Sequence, residues 1–395
     1  MTSSLYMSLE SKDSLERKKL NSLFLTLVRL GIGTSKDVNI PNDVDWNVLK
    51  DLADKHGLSA VVLDGIEKLP EQERPPKVFL LEWIGETLQD YEYRYDMYCK
   101  AIADLAGFYN SHGYKMMVLK GYACSLDWPR PEHRPCGDID IWQFGKQKES
   151  DALLESVEFS DKSVETDKIV ESVKKMEVDR SHHHHTVFYW GDFMVENHYD
   201  FINVHHHKSN AEVEQVLKEL AQDDSHFVEM ESTTTDSATK VYLPSTNLHA
   251  LFLLKHTMIH FAAEGISLRQ LLDWGFFMKA HHQEIDWPWF TEKLEQFGMT
   301  TMFNIFNAIC VEDLGFDAAV FHQVQFSPFM NDRVLKEILS PEYGVELPKS
   351  LLPRLAFKYR RWKGSTWKHE LCYKESMRSA FWSGLWNHLL KPSSI

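Results

Sequence analysis

The sequence predicts an α+β protein in which a mixed α/β segment sits between two helical regions. Three observations predict it. Apolar residues recur at helical spacing over residues 12–110, β-rich runs broken by glycine turns fill the middle, and helical spacing returns after Ser245. The expected divisions are 1–110 for the N-terminal helical region, 111–240 for the α/β core and 241–395 for the C-terminal helical region.

In the first region Leu20, Leu23, Leu27 and Leu30 share one face of a helix within Ser14–Leu30. A second helix is expected to start at Asn42-Asp43 and to carry Trp46, Leu49, Leu52 and Ala53. Pro70, Pro75 and Pro76 then interrupt the chain before a third helix, running from Val78 into the 90s.

The middle segment opens with the apolar run Met116–Leu119, which ends at Lys120-Gly121. A glycine here either simply ends a strand or, lacking a Cβ, lets backbone N–H groups approach a phosphate. Further on come Arg134, Gly137 and then Asp138-Ile139-Asp140-Ile141. Successive side chains of a strand alternate faces, so Asp138 and Asp140 point the same way, about 7 Å apart, with the two isoleucines turned toward a core. Val187–Trp190 and Phe193–Phe201 flank a two-residue Gly191-Asp192 loop and read as a hairpin. On its second strand Met194, Glu196 and His198 share a face, which makes Glu196 a candidate third carboxylate. An isolated Asp-x-Asp is common in solvated turns. Carboxylates held side by side on strands, however, suit a hard cation that also binds waters and phosphates. A Ser- and Thr-rich link over Glu231–Lys240 leads to a strand at Val241-Tyr242-Leu243, and Ser245 or Thr246 is expected to cap the next helix.

Taken together, these pieces resemble the DNA polymerase beta-like nucleotidyltransferase superfamily. Within it the chain is similar to a group of uncharacterised nucleotidyltransferases common in bacterial genomes. The similarity rests on Leu119-Lys120-Gly121, the loop prolines Pro129 and Pro131, Arg134, Asp138 to Ile141, and Glu196 two residues before His198. Leu268-Arg269 with Asp273 adds a match to the group's Leu-Arg-x-x-x-Asp helix, and the resemblance spans about residues 20–290.

The resemblance implies a small mixed β-sheet nucleotidyltransferase core with helices. It implies transfer of a nucleoside monophosphate from a nucleoside triphosphate, such as ATP, to an acceptor hydroxyl, with release of pyrophosphate. Asp138, Asp140 and Glu196 would be catalytic and would hold Mg²⁺, or Mn²⁺ in its place. Lys120, Gly121, Tyr122, Ser125, Arg134, Lys255 and Arg269 would border the nucleotide. The acceptor, whether small molecule, protein or RNA, is not identified. Two departures keep other readings open: Tyr122 stands where many members carry a serine, with Ser125 as a substitute, and Glu196 replaces a commoner aspartate. A nucleotide-binding regulatory module with little turnover and a metal-dependent phosphohydrolase both fit the same carboxylates.

The chain has 395 residues and a formal net charge of −15, a balance that disfavours non-specific DNA binding. It shows no run apolar enough to span a membrane. Cys99, Cys124, Cys136, Cys310 and Cys372 are scattered and odd in number, which points to free thiols and a cytoplasmic location. Between Arg354 and Arg378 eight Lys or Arg residues meet only Glu370 and Glu375, with Tyr359, Trp362 and Trp367 interleaved. The segment reads as a solvated helix with inward aromatics, or as a landing site for RNA or a phosphorylated acceptor. Of 20 histidines, runs occur at His182–His185 and His205–His207, read as wet strand and loop with some affinity for nickel or zinc. His249, His256 and His260 share a helical face and are expected to pack beneath the cleft. Arg269 and Asp273 are spaced for an i,i+4 ion pair.

Overall fold

Strand alternation and helix amphipathicity arrange this chain around one mixed sheet. The computed structural model describes residues 2–376 apart from 42, 166–167, 183, 205–206, 234–237, 323–326 and 342–349. Among the described residues the strands are β1 (Met117–Val118), β2 (Ile139–Trp142), β3 (Glu158–Glu165), β4 (Lys168–Lys175), β5 (His185–Trp190), β6 (Phe193–His198), β7 (Phe227–Met230) and β8 (Thr239–Tyr242). Six form a sheet in the order β5-β6-β2-β1-β8-β7, and among the described residues β3 and β4 form a separate two-stranded sheet. The β2–β6 and β1–β8 pairs are parallel, whereas β1–β2, β5–β6 and β7–β8 are antiparallel. The fold is α+β, with helices before, across and after the sheet.

Alternation along the strands assigns side chains to two cores. Val118, Ile139, Ile141, Phe188 and Val195 pack with Tyr98, Ile102 and Tyr109 of the Arg94–Ser111 helix. Met117 and Trp142 face the other way, toward Phe201 and the Thr246–Ala263 helix, where Phe252 is fully buried. That second core extends from Leu23 and Leu27 in the first helix to Cys372 near the end of the described chain. Each fully buried Ile or Phe contributes about 1.5–3 kcal/mol of transfer free energy.

Several boundaries differ from expectation. The second helix is Trp46–His56, and its cap is Asp45, whose carboxylate accepts from the N–H groups of Asn47 and Val48. Asn42 lies outside the described residues. Pro76 ends the break as expected, and the chain then runs through Lys77–Thr87, a wider π turn at Leu88–Tyr93, and Arg94–Ser111. Ser245 occupies the cap position of Thr246–Ala263 but makes no side-chain capping bond. Thr246 instead donates to Glu284 Oε2 at 2.8 Å. Residues 234–237 of the Ser- and Thr-rich link lie outside the described residues, and the strand begins at Thr239. All five cysteines are free. Among the described residues no helix is long and apolar enough to cross a membrane.

Candidate active site

The turn after β1 is built on Gly121, whose φ of +63° lies where L side chains are strained. A Cβ there would also fall 2.6 Å from the Tyr98 hydroxyl. That hydroxyl donates to the carbonyl of Asp138 at 2.9 Å, so one buried phenol ties the glycine turn to the residue leading into β2. The Leu119 N–H donates to the Asp140 carbonyl at 3.0 Å and holds the same junction from the strand side.

Register brings the carboxylates together. Asp140 on β2 is the direct parallel partner of Glu196 on β6, and with Ile139 and Ile141 turned toward the core under the Arg94–Ser111 helix, Asp140 faces the opposite side of the sheet. Asp138 immediately precedes the strand. Its carboxyl is pushed up from its ordinary range, first by the charge of Asp140 and then by burial. Like-charge repulsion of this kind is what a bound cation relieves.

Two cationic groups already answer Asp140. Lys120 Nζ lies 2.9 Å from Asp140 Oδ1, and His198 Nε2 donates to the same oxygen at 2.9 Å. Burial opposes ionisation of Asp140, but Lys120 and His198 overcome it and hold the carboxyl well below its usual range. Burial likewise works against protonation of His198, yet its bonds to Asp140 and Glu196 raise it to about 9. His198 Nε2 also lies 3.3 Å from Glu196 Oε2. Lys120 donates onward to His256 Nε2 at 3.3 Å, and His256 Nε2 lies 3.1 Å from His260 Nε2. Asp140, Glu196 and His198 each present a ligand atom within 4.8 Å of one another, so a cation would find two carboxylates and one imidazole.

A family model described as an uncharacterised nucleotidyltransferase matches residues 42–315. The chain belongs to this nucleotidyltransferase family. No curated protein and no solved structure gives a significant match.

The family match takes in every residue expected at the site, but the fold does not gather them all. Arg134 is buried and clamps its own loop to the Leu268–His281 helix, with Nε 2.8 Å and Nη2 3.0 Å from the two oxygens of Asp273. Trp128 Nε1 donates to the same carboxylate at 2.9 Å. The i,i+4 pair expected between Arg269 and Asp273 therefore does not form, and the Arg269 Nε is buried without a partner. Tyr122 is buried in the helical turn Tyr122–Ser125. Ser125 is fully buried; its hydroxyl donates to the Tyr122 carbonyl at 2.7 Å and lies 2.9 Å from the Tyr95 hydroxyl. It is committed within the protein and not turned out toward a phosphate. Lys255 is buried under Tyr373, with Nζ 4.7 Å from the ring centre, and burial pulls it down to about 8. Its neighbours in charge are Cys372 and Glu375, not the three carboxylates.

His198 and Glu196 stand two apart on one strand, a signal the sequence carries. His256, expected to pack beneath the cleft with a contact to the triphosphate also open to it, packs against Phe252 and lies 3.3 Å from Lys120 Nζ. His249 does pack, against Phe277 and 3.7 Å from Cys124 Sγ. In the basic C-terminal segment Tyr359 and Trp362 are stacked and exposed on Leu351–Gly364, not turned inward. Arg378, at its end, lies outside the described residues, as do His183, His205 and His206. A recess of about 430 Å³ walled by Val61, Asp64, Trp128, Arg130 and His133 includes none of the three carboxylates. The candidate site is defined by the convergence of Asp140, Glu196, His198 and Lys120.

Proposed function

We propose that this chain is a metal-dependent nucleotidyltransferase of the polymerase beta-like kind. It would move a nucleoside monophosphate from a nucleoside triphosphate to an acceptor hydroxyl and release pyrophosphate. The observation that carries the reading is the in-register pairing of Asp140 with Glu196, Asp138 directly upstream, at the foot of the Gly121 turn.

The donor set fits a divalent cation, because Asp138 and Asp140 repel one another and Asp140 already draws two cationic side chains. Asp138, Asp140 and Glu196 would hold Mg²⁺ or Mn²⁺. When bound, such an ion offsets triphosphate charge and acidifies a hydroxyl nucleophile. Lys120 balances Asp140 at 2.9 Å and would turn its charge toward an incoming phosphate. Gly121 keeps the turn bare of side chain, so the backbone can approach that phosphate. His198 Nε2 bridges Asp140 and Glu196 at 2.9 Å and 3.3 Å, holds the two carboxylates together, and would give up those contacts to a cation bound there. Arg134 acts through Asp273, fixing the loop that leads into Asp138 and Asp140.

The test uses purified protein, Mg²⁺ and each α-³²P-labelled nucleoside triphosphate with cell extract, beside an Asp138→Ala/Asp140→Ala variant. Label moved to an extract component by the wild type alone supports the reading and names the nucleotide. Absence of transfer with every nucleotide would remove it.

A further inference from the structure

The start of β5 places a cluster of imidazoles against the outer flank of the carboxylate site. His185 pairs in register with His198 across β5 and β6, and His184 directly precedes it. Ring centres lie 4.3 Å apart for His184 and His185, 5.3 Å for His185 and His198, and 5.7 Å for His184 and His198. Each of the three offers a ring nitrogen within 4.8 Å of the other two.

The state of these rings suits metal ligation. The rings of His184 and His185 stand edge to face, 4.3 Å apart. Their Nδ1 atoms are buried and bond to nothing among the described residues. Buried polar atoms are normally paired, and each ring therefore retains an uncommitted nitrogen that calls for a partner. His198 is oriented from behind: its Nδ1 lies 3.1 Å from the Asp200 carbonyl, and its Nε2, which faces Asp140 at 2.9 Å and Glu196 at 3.3 Å, would exchange its bond to Asp140 for a cation held here. A backbone carbonyl behind a ring is the usual support of a ligating histidine.

Glu196 closes the group. Its Oε1 lies 3.6 Å from His185 Nε2 and its Oε2 3.3 Å from His198 Nε2. A tetrahedral ion with bonds of about 2.1 Å has ligand–ligand edges of about 3.4 Å, and these two separations straddle that value. Three imidazoles with one carboxylate favour a borderline first-row ion over Mg²⁺, which prefers an all-oxygen shell.

We propose that His184, His185 and His198, closed by Glu196, form a binding site for a divalent cation of the zinc class, Zn²⁺ or Co²⁺. The site adjoins the oxygen-rich side formed by Asp138 and Asp140 and shares Glu196 with it. The proposal does not depend on nucleotidyl transfer, and either can fail alone.

The experiment titrates metal-stripped full-length protein with Co²⁺ and follows visible absorption, whose intensity separates four-coordinate from six-coordinate cobalt. One equivalent of four-coordinate cobalt is expected. A His184→Gln/His185→Gln variant should weaken it by about 100-fold or more. A His281→Gln/His282→Gln variant, whose rings bond Asp127 and the Met278 carbonyl, should bind as the wild type does. Zinc-edge X-ray absorption on the unaltered chain supplies a readout independent of variant folding, and three imidazole ligands are expected. Wild-type affinity in His184→Gln/His185→Gln, an equal loss in His281→Gln/His282→Gln, or a zinc shell with fewer than three imidazoles would overturn the proposal.

Discussion

His198 Nε2 lies 2.9 Å from Asp140 Oδ1, inside a sheet face that also holds Glu196 and Lys120. The buried aspartate thus carries two cationic partners before any ligand arrives. A divalent cation entering here must displace charge that is already balanced.

That competition predicts an unusual phenotype for Lys120→Met. Removing the ammonium leaves Asp140 facing only His198, so Mn²⁺ should bind more tightly, by about tenfold or more for loss of one close charge. Nucleotide affinity should fall in the same variant. Titration calorimetry with Mn²⁺ and with a nucleoside triphosphate measures both, and weaker Mn²⁺ binding would count against the balancing role.

Gly121→Ala should destabilise the fold by about 1–3 kcal/mol, because the residue keeps a positive φ that alanine resists. The new Cβ would also press on the Tyr98 hydroxyl, 2.6 Å from its position. Tyr98→Phe in the same chain should recover only the part due to that contact. Urea unfolding of the two variants separates the terms.

The buried pair between Arg134 and Asp273 gives a further prediction. Asp273→Ala should cost about 3–5 kcal/mol, since it strands a buried guanidinium and also removes the acceptor of Trp128. Arg134→Met/Asp273→Leu, which removes both charges, should regain much of that loss. Equal destabilisation by the single and double changes would show that the ion pair is not what anchors the loop.

A pH effect is expected at His133, away from the carboxylates. Its Nδ1 lies 2.7 Å from Asp64 and its Nε2 3.2 Å from Glu92. Burial opposes its protonation, but Asp64 and Glu92 outweigh burial and raise its pKa above the usual 6.5. A raised histidine stabilises the fold fully below its unfolded pKa and loses that contribution as pH rises through the folded value. The wild type should therefore lose stability relative to His133→Gln as pH rises from about 6.5 through the raised folded-state value. Paired denaturation curves at several pH values test it, and a gap that widens with pH would contradict the assignment.

Local rules made much of the site readable. A period of two turned Ile139 and Ile141 into the core and Asp140 away from it, with Asp138 just ahead of the strand, and the Gly-Asp loop announced the hairpin that delivers Glu196. A glycine after an apolar strand marked the turn that proved to need a positive φ. What stayed hidden depends on contacts between distant segments. Arg134 meets Asp273 across 139 residues, and Lys120 meets His256 across 136. Nothing local distinguishes the side of the Thr246–Ala263 helix that carries His256 toward the carboxylates from the side that sends Lys255 under Tyr373. The i,i+4 rule correctly identified neighbours on the next helix but not the stronger competitor, a bidentate guanidinium from a loop. Likewise the pairing of β3 with β4 alone follows from strand order, which no periodicity encodes.

The central claim is that Asp138, Asp140 and Glu196 direct cleavage between the α- and β-phosphates onto an acceptor. The most direct measurement follows α- and γ-labelled nucleoside triphosphate together, with Mg²⁺ and cell extract, in wild type and Asp140→Asn. The account predicts γ-label in pyrophosphate and α-label on the acceptor at equal rates, both reduced in Asp140→Asn by about 10²-fold or more. Release of γ-label as orthophosphate with no labelled acceptor, or undiminished transfer by Asp140→Asn, would contradict it.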